Sequence, residues 1–309
     1  MAFGKDTYNG ASEMRESLLD IIRDISPNED TYFVSNLGKA GVALQPLHEW
    51  NIFHEDRATT VGATVEGATT DYPDLQAEAR SDNRTVILDA PVRLSRTKAS
   101  IATVTGEDAM AVEKERALRR LKSEMEYAIV NGAKAAGASG VSRQLAGIDN
   151  CISTNVTAHA SGQSFTEQIL NDMVQTSWDS VGAGYVADVL AVPVVLKRRV
   201  ASFGTNLTRN VNATDKRLTK EVRVYDSEVG QTVMVIAHKD VRKAAGTLTA
   251  LLVREDMFEL SFLVDSGEPH WEDRQKDGDR VNGTYITEFT LVSFDQQASV
   301  KRTGFNTNL

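Results

Sequence analysis

The 309-residue chain is poor in cysteine, proline and aromatic residues. Cys151 is its only cysteine, so one copy can form neither a disulfide nor a cysteine-based metal site. Six prolines and an aromatic content of 6% are both low for a chain of this length. Because secreted domains commonly depend on disulfides, the sequence favours a protein that folds in a reducing compartment.

Long hydrophobic runs are also missing. The longest, such as residues 186–196, fall well short of the roughly 20 apolar residues that a transmembrane helix needs. The first ten residues carry Lys5 and Asp6 and have no apolar stretch, which is unlike a secretion signal. The sequence therefore predicts a soluble protein that is made inside the cell and has no membrane partner.

Basic residues are fewer than acidic residues. The chain has 34 Lys and Arg against 43 Asp and Glu, a formal net charge of −9. This balance argues against a nucleic-acid binder that neutralises phosphates over a general basic surface, although a local basic patch stays open. With 41% hydrophobic and 25% charged residues, the composition is that of a globular protein rather than a disordered tail or a collagen-like rod.

Motifs for cofactor binding are weak. Residues 182–187 match a loose dinucleotide fingerprint, but they follow a predicted helix and precede a predicted strand, the reverse of what pyrophosphate binding requires. Residues 277–288 only partly match a calcium loop, because Val281 fills a ligand position and Asn282 stands where a glycine is needed. We predict no cofactor site here.

Residues for catalysis or metal binding form no convincing group either. His270 lies among acidic residues, where we expect a solvated acidic turn, and Cys151 has no base that the sequence reveals. No pair of histidines has the i, i+4 spacing of a helical zinc site. The histidines are His48, His54, His159, His238 and His270. The sequence predicts no enzyme activity, no catalytic residues and no bound metal.

The N-terminal part predicts one helix and two extended pieces. Apolar residues recur at helical spacing over 12–26, with Ser12 as a possible N-cap and Pro27 as the stop. Residues 31–35 and 41–47 are expected to be short and extended.

Residues 55–85 are the least ordinary stretch. Their only large apolar side chains are Val61, Val65, Tyr72 and Leu75, so the segment cannot bury a core of its own. Two interpretations remain open: a disordered surface loop, or a long hairpin that is ordered only against another subunit. Two arms of ~20 to 25 residues would reach on the order of 70 Å. A compact chain of this size has a radius of gyration of only about 19 Å.

Residues 85–104 are predicted to return as β-structure, and the strongest helix follows over 107–136. Its length would be about 45 Å, and the glycine-bearing segment 132–147 would end it. The charged residues 113–120 fit a solvated face, or an interface in an assembly.

The second half alternates between helix and strand. A helix is predicted over 165–181, and strands are predicted over 187–195, 222–224, 232–238, 247–253, 257–264 and 284–294, with a last extended piece ending near Phe305. A period of 2 dominates, so the fold class is α+β.

The order of these elements resembles that of the major capsid proteins of tailed bacteriophages, which have the Hong Kong 97-like fold. These proteins share an N-terminal arm, an extended loop, a peripheral domain with a spine helix and an axial domain. Short phrases that carry the resemblance are 38–40, 48–50, 66–68, Arg80, Asn83, 276–279, 288–291 and 298–300. No residue pair can be assigned to the lysine–asparagine crosslink of the type member.

The resemblance implies a division of the chain into five parts. They are an N-terminal arm at 1–52, an extended loop (a long β-hairpin) at 53–104, a peripheral domain with the spine helix at 105–150, an axial domain at 151–255, and return strands of the peripheral domain at 256–309.

It also implies a function. The chain would assemble in the bacterial host cytoplasm, as hexamers and pentamers, into the icosahedral head of a virion that encloses double-stranded DNA without sequence-specific binding. Partners would be other copies, a portal protein, a separate scaffolding protein and a decoration or cement protein. The residues expected at intersubunit contacts are Arg57, Glu66, Asp71, Arg80, Arg84, Glu113, Arg116 and Arg120. Alternatives are an encapsulin-like compartment shell and a small-molecule enzyme with a mobile lid at 55–85.

Overall fold

The structure is a computed structural model that describes residues 31–53, 61–69, 78–100, 108–180, 186–203, 223–241, 243–244, 247–265, 267–275 and 278–307. Six α-helices lie in these ranges. They are α1 (Tyr32–Asn36), α2 (Arg96–Ser100), α3 (Ala109–Asn131), α4 (Ile148–Cys151), α5 (Glu167–Ser180) and α6 (Val194–Phe203).

Five strands form the first sheet, in which β13 is central. One side of β13 pairs antiparallel with β4. The other side of β13 pairs antiparallel with β12 over its first half and with β11 over its second half, and β1 pairs parallel with β11. The strands are β1 (Gly38–Lys39), β4 (Val86–Ser95), β11 (Phe258–Phe262), β12 (His270–Arg274) and β13 (Arg280–Ser293). A separate hairpin pairs β2 (Leu47–Ile52) with β3 (Ala79–Arg84).

Seven strands form the second sheet, in the order β5-β14-β10-β6-β8-β7, with β9 also on β10. The strands are β5 (Val156–Gln163), β6 (Val189–Val192), β7 (Val224–Asp226), β8 (Thr232–Ala237), β9 (Lys243–Ala244), β10 (Thr247–Val253) and β14 (Val300–Asn306). A 3-10 turn, Glu255–Met257, leads from β10 to β11 of the first sheet.

Two hydrophobic cores meet at the second sheet. On β10, Leu248 and Leu252 point into a core shared with α5 and α6, whereas Leu251 and Val253 point into a core shared with α3 and the first sheet. A strand that is buried on both faces loses the alternation of apolar and polar residues, and its run of leucines reflects this. The second sheet therefore ties both halves of the protein together.

Helix α3 packs one face on the first sheet and is shorter than the sequence predicts. Leu121, Met125 and Ile129 are buried on this face. The helix ends at Asn131 rather than near residue 136, because the backbone turns out of the helical conformation at Gly132, its C-cap (ψ 133°). Only glycine fits there, since a Cβ would lie 2.6 Å from the Ala128 carbonyl oxygen and 2.7 Å from that of Leu145. Its 23 residues span about 34 Å.

Several predicted strands are confirmed, and others are wrong. Strand β10 has the predicted bounds, and α5, β4, β8 and β13 lie where the pattern places them. Residues 32–36 and 96–100 are helical instead of extended, and the run predicted as a strand over 187–195 stops at Val192, where Pro193 precedes α6. The expected acidic turn at His270 is strand β12.

The last strand does not return to the first sheet, although 256–309 was expected to do so as a whole. Strand β14 pairs antiparallel with β10 and parallel with β5 in the second sheet. Val300 and Phe305 are buried in the core that α5 and α6 cover, which explains the pairing. The predicted helix at 12–26 and the glycines at 182–184 lie outside the described residues.

Candidate assembly surfaces

The hairpin of β2 and β3 is the base of a limb, which we define as residues 47–84. The ladder runs regularly from Leu47 opposite Arg84 to Ile52 opposite Ala79. Two antiparallel strands thus lead into and out of the excursion, and the choice between a surface loop and a long hairpin beyond them stays a prediction. The limb thus begins as ordered structure that the main body holds.

Asn83 fixes the base of the limb to the body. Its amide donates to the carbonyls of Leu291 and Ala146 at 2.7 and 3.1 Å, and its carbonyl accepts from the Ala146 N–H at 2.8 Å. The side chain is buried, so these bonds satisfy groups that water cannot reach. Trp50 adds an indole hydrogen bond to the Ser293 carbonyl, and Lys134 pairs with Asp82 at 2.9 Å.

The outer described part of the limb exposes apolar side chains. Val61 is 92% exposed and Val65 is 80% exposed, and Phe53 is also exposed at the end of β2. Residues 61–69 contain a turn at 66–67 but no strand or helix. Glycine, alanine, threonine and one glutamate surround these valines in sequence, and every residue of 61–69 is exposed, so nothing in this stretch covers them.

Glu126 connects three elements at one buried point. Its carboxylate accepts hydrogen bonds from the Phe33 and Val34 N–H groups at 2.9 and 2.8 Å and lies 2.7 Å from His238 Nε2. The Asp240 N–H donates to His238 Nδ1, so the ring proton sits on Nε2 and points at the carboxylate. The contact joins α1, α3 and the end of β8.

Sequence reasoning missed this junction, although a signal was present. Glu126 is a lone carboxylate beside Met125 and Ile129 on the apolar face of α3, where a charge requires a partner. A second anchor holds α1, since the Tyr32 hydroxyl bonds Glu255; burial and this carboxylate raise the pKa of Tyr32.

The outer face of α3 carries many charged side chains, and several of them form ion pairs. Glu113 pairs with Arg116 at 3.0 Å, and Arg120 lies 3.7 Å from Glu124, all within the helix. Lys114 extends over the ring of Trp271 on β12, 4.3 Å from its centroid. Between residues 113 and 122 the helix carries five cations and two carboxylates, so this face is basic in an otherwise acidic chain.

The other residues expected at contacts lie on the limb. Arg80 faces Glu49 across the hairpin at 3.5 Å, and the carbonyl of Arg84 accepts from the Thr290 hydroxyl at 2.9 Å. Glu66 is exposed at the turn. Arg57 and Asp71 lie outside the described residues. The ion pair of Arg80 with Glu49 lies within the hairpin, and that of Arg116 with Glu113 lies within α3.

The described residues offer little for chemistry. Burial raises the pKa of the Cys151 thiol to about 12, which keeps it protonated at neutral pH. Over the described ranges, no three His, Cys, Asp or Glu side chains lie close enough to hold a metal ion. Of the helices in the same ranges, none has the length and apolar character to cross a membrane.

Solved structures share the fold across nearly the whole chain. The capsid asymmetric unit of cyanophage A-1(L) matches with a TM-score of 0.68 and 12% identity, covering 98% of this chain and 99% of that one. The capsid of Myoviridae phage XM1 gives 0.62 and 10%, covering 94% and 97%. The holo-SrpI encapsulin complex of Synechococcus elongatus PCC 7942 gives 0.60 and 12%, covering 99% and 98%.

These structural matches show that the chain has the Hong Kong 97-like fold of phage capsids. At identities this low, they show the fold alone. No curated protein matches the sequence. The family model described as SU10 major capsid protein, however, matches residues 3–306. Because that match spans nearly the full length, the chain belongs to the SU10 major capsid protein family and has a shell role in the phage virion.

Proposed function

We propose that copies of this chain assemble as hexamers and pentamers into an icosahedral head that encloses double-stranded DNA, and that the chain has no catalytic role. The limb carries this proposal. Its base is fixed to the body, while Val61 and Val65 stand exposed on its outer part. Burying such apolar side chains against another copy would stabilise the assembly, as in obligate oligomers whose stability depends on association.

The sheets support an assignment of domains. The body around α3 and the first sheet corresponds to a peripheral domain, and the second sheet with α5 and α6 to an axial domain. On this assignment 1–52 is the N-terminal arm and 53–104 holds the extended loop. Strand β14 moves to the axial domain, because it pairs with β5 and β10.

Charge suggests where the limb of one copy docks on the next. Residues 53–78 carry six carboxylates and one arginine, whereas residues 113–122 of α3 are rich in cations. Opposite charges attract most strongly where contact removes water from around them. The acidic limb therefore lies against the basic face of α3 in a neighbouring copy, with Glu66 and Asp71 on one side and Arg116 and Arg120 on the other. Arg57, Arg80, Arg84 and Glu113 flank this contact.

A charge swap tests the contact. Glu66→Arg with Asp71→Arg, or Arg116→Glu with Arg120→Glu, should each stop shell formation, because each pair places like charges opposite one another. All four substitutions in one chain should restore shells. Lys39→Glu, at an exposed ion pair with Glu268, is the matched control.

The readout is a sizing column followed by negative-stain electron microscopy. Closed shells, hexamers or sheets from the unmodified chain support the assembly. If the variant with all four substitutions stays unassembled while the control forms shells, the pairing of the limb with α3 is overturned. A compact monomer at every concentration, with or without a scaffolding protein, would overturn the assembly itself.

An encapsulin-like compartment is the second candidate, because the fold match to the holo-SrpI encapsulin complex covers 99% of this chain. The contents of purified particles distinguish the two. A phage head packages DNA and, on our proposal, also engages a portal, a scaffolding protein and a decoration protein. Particles from infected cells that hold enzyme cargo and no DNA would favour the compartment.

A further inference from the structure

A groove of about 740 Å³ opens between β4, α3 and the segment that follows α3. We call it the edge groove. Apolar side chains, two carboxylates, one arginine and several amide and hydroxyl groups line it, and Ile87 and Tyr127 are more than half exposed there. The residues used below are Ile87, Leu88, Glu124, Tyr127, Leu145 and Asp240.

The edge groove runs along β4, at the edge of the first sheet. Strand β4 pairs with β13 on one side, and no other strand among the described residues pairs with its second side. Pro91 has no N–H to donate, and proline in a sheet occupies edge strands with its nitrogen turned away from the ladder. Because bonded and non-bonded pairs alternate in an antiparallel ladder, Ile87 and Asp89 also direct their backbone N–H and C=O groups outward. Within the described residues, this side of β4 is open to pairing with a further strand.

The charge of the edge groove is negative. Glu124 and Asp240 contribute two carboxylates to its lining. Burial raises the pKa of both, although Arg120 acts in the opposite direction on Glu124, as His238 and Lys239 do on Asp240. Asp89 adds to the negative field at Glu124, whose own cation, Arg120, is 3.7 Å away. The arginine in the lining, Arg143, is already engaged by Glu288 and the Thr85 carbonyl.

These features point away from the limb of another copy as the occupant. The limb is acidic, with six carboxylates between residues 53 and 78, and would meet like charges in the edge groove. The basic face of α3 suits the limb better. An occupant of the edge groove must instead supply cations, apolar side chains and an extended backbone.

We propose that the edge groove binds an extended, basic and apolar peptide segment of a second protein, which adds as a strand to β4. Backbone bonds to Ile87 and Asp89 would supply the pairing. Alternate side chains would place apolar groups on Tyr127 and Leu145 and cations beside Glu124 and Asp240. This is the mode in which main-chain bonds give affinity and side-chain pockets give selectivity.

The probe is a synthetic, acetylated hexapeptide of alternating valine and lysine, titrated into the unassembled full chain by calorimetry. A valine–glutamate peptide of the same length is its counterpart. We expect the lysine peptide to bind at least tenfold more tightly than the glutamate peptide. Asp89→Pro, which removes an outward N–H, and Glu124→Gln should each weaken binding several-fold. Glu115→Gln, on the opposite flank of α3, should leave binding unchanged.

Three results would overturn the proposal. The first is that neither peptide binds, and the second is that both bind equally. The third is that the Asp89→Pro and Glu124→Gln variants bind the lysine peptide as the unmodified chain does, while circular dichroism shows that both variants are folded. A fourth concerns the occupant: if Glu124→Lys promotes assembly of the chain alone, a second copy fills the groove. Because the titration uses unassembled chain, its outcome is independent of whether shells form.

Discussion

Glu126 shows how one residue sets the path of the chain into the body. Helix α1 begins at Tyr32 with no side-chain cap of its own, since Thr31 makes no capping hydrogen bond. The orphan amides at its start are instead satisfied by a carboxylate 92 to 93 residues away. The His238 ring holds that carboxylate in place from the second sheet. A polar contact thus orients the segment that leads from the N-terminal region.

Replacing Glu126→Gln should destabilise the unassembled chain by about 3 kcal/mol, the usual scale for breaking a buried pair. The amide can accept only part of what the carboxylate accepted, and its NH₂ group would face N–H donors. Urea unfolding measures the loss, and hydrogen exchange at Phe33 and Val34 should accelerate. Glu115→Gln, in an exposed pair with Arg119, is the control and should change stability by less than about 0.5 kcal/mol. Equal stability of the two variants would contradict the role of Glu126.

Cys151 gives a second prediction at the residue scale. Burial raises the pKa of its thiol to about 12. An ordinary cysteine has a pKa near 8.5, and only the thiolate attacks alkylating reagents. At pH 8 the folded chain should therefore react with iodoacetamide on the order of 10³-fold more slowly than the chain in urea. Mass spectrometry follows the reaction, and similar rates in both states would show that the thiol is accessible and ionised.

Among the elements, those that depend on their own sequence pattern were predictable. The apolar stripe of α3 and the apolar run of β10 dictate a helix and a buried strand wherever they lie in the protein. Helix α1 was not predictable, because Tyr32, Phe33 and Val34 favour strand, and the distant Glu126 overrides that preference. The apolar run that ends at Val195 similarly predicts one continuous strand, although Pro193 within it separates β6 from α6.

The start of the limb was predictable in part, whereas the contacts between copies stay a prediction. An apolar-poor, acidic stretch between strand patterns indicates a limb without any knowledge of the fold. Its anchor, Asn83, could not be recognised, since its partners Leu291 and Ala146 are distant in sequence. The edge groove was equally hidden, because a free strand edge is a property of the pairing and not of β4 alone.

The limb carries the prediction at the scale of elements. Replacing residues 61–69 with three glycines should leave the free energy of unfolding within about 0.5 kcal/mol, because this stretch contributes no buried side chain to its own chain. Shell assembly should be lost. The double change Val61→Ser and Val65→Ser should weaken assembly through the apolar contact alone. Light scattering and urea unfolding give the two readouts, and normal shells from the glycine variant would contradict a limb that binds neighbours.

At the scale of the whole molecule, two electrostatic effects oppose each other. Each copy carries a formal net charge of −9, which repels other copies at long range. The acidic limb and the basic face of α3 attract at contact distance. Salt acts differently on them, because screening over about 8 Å at 0.15 M suppresses long-range repulsion before it removes contacts at a few ångströms.

Assembly should therefore depend on salt with a maximum. Below about 0.05 M, repulsion between copies persists over more than 10 Å and should raise the protein concentration needed for shells. Well above 0.15 M, the contacts between limb and α3 weaken and that concentration should rise again. Sedimentation at a series of salt concentrations measures it. The control is the variant with all four exchanges (Glu66→Arg, Asp71→Arg, Arg116→Glu and Arg120→Glu), which keeps the net charge and the pairing of opposite charges and should show the same maximum. If assembly of the unmodified chain improves steadily up to 1 M salt, apolar contacts such as those of Val61 and Val65 outweigh the charge pairing.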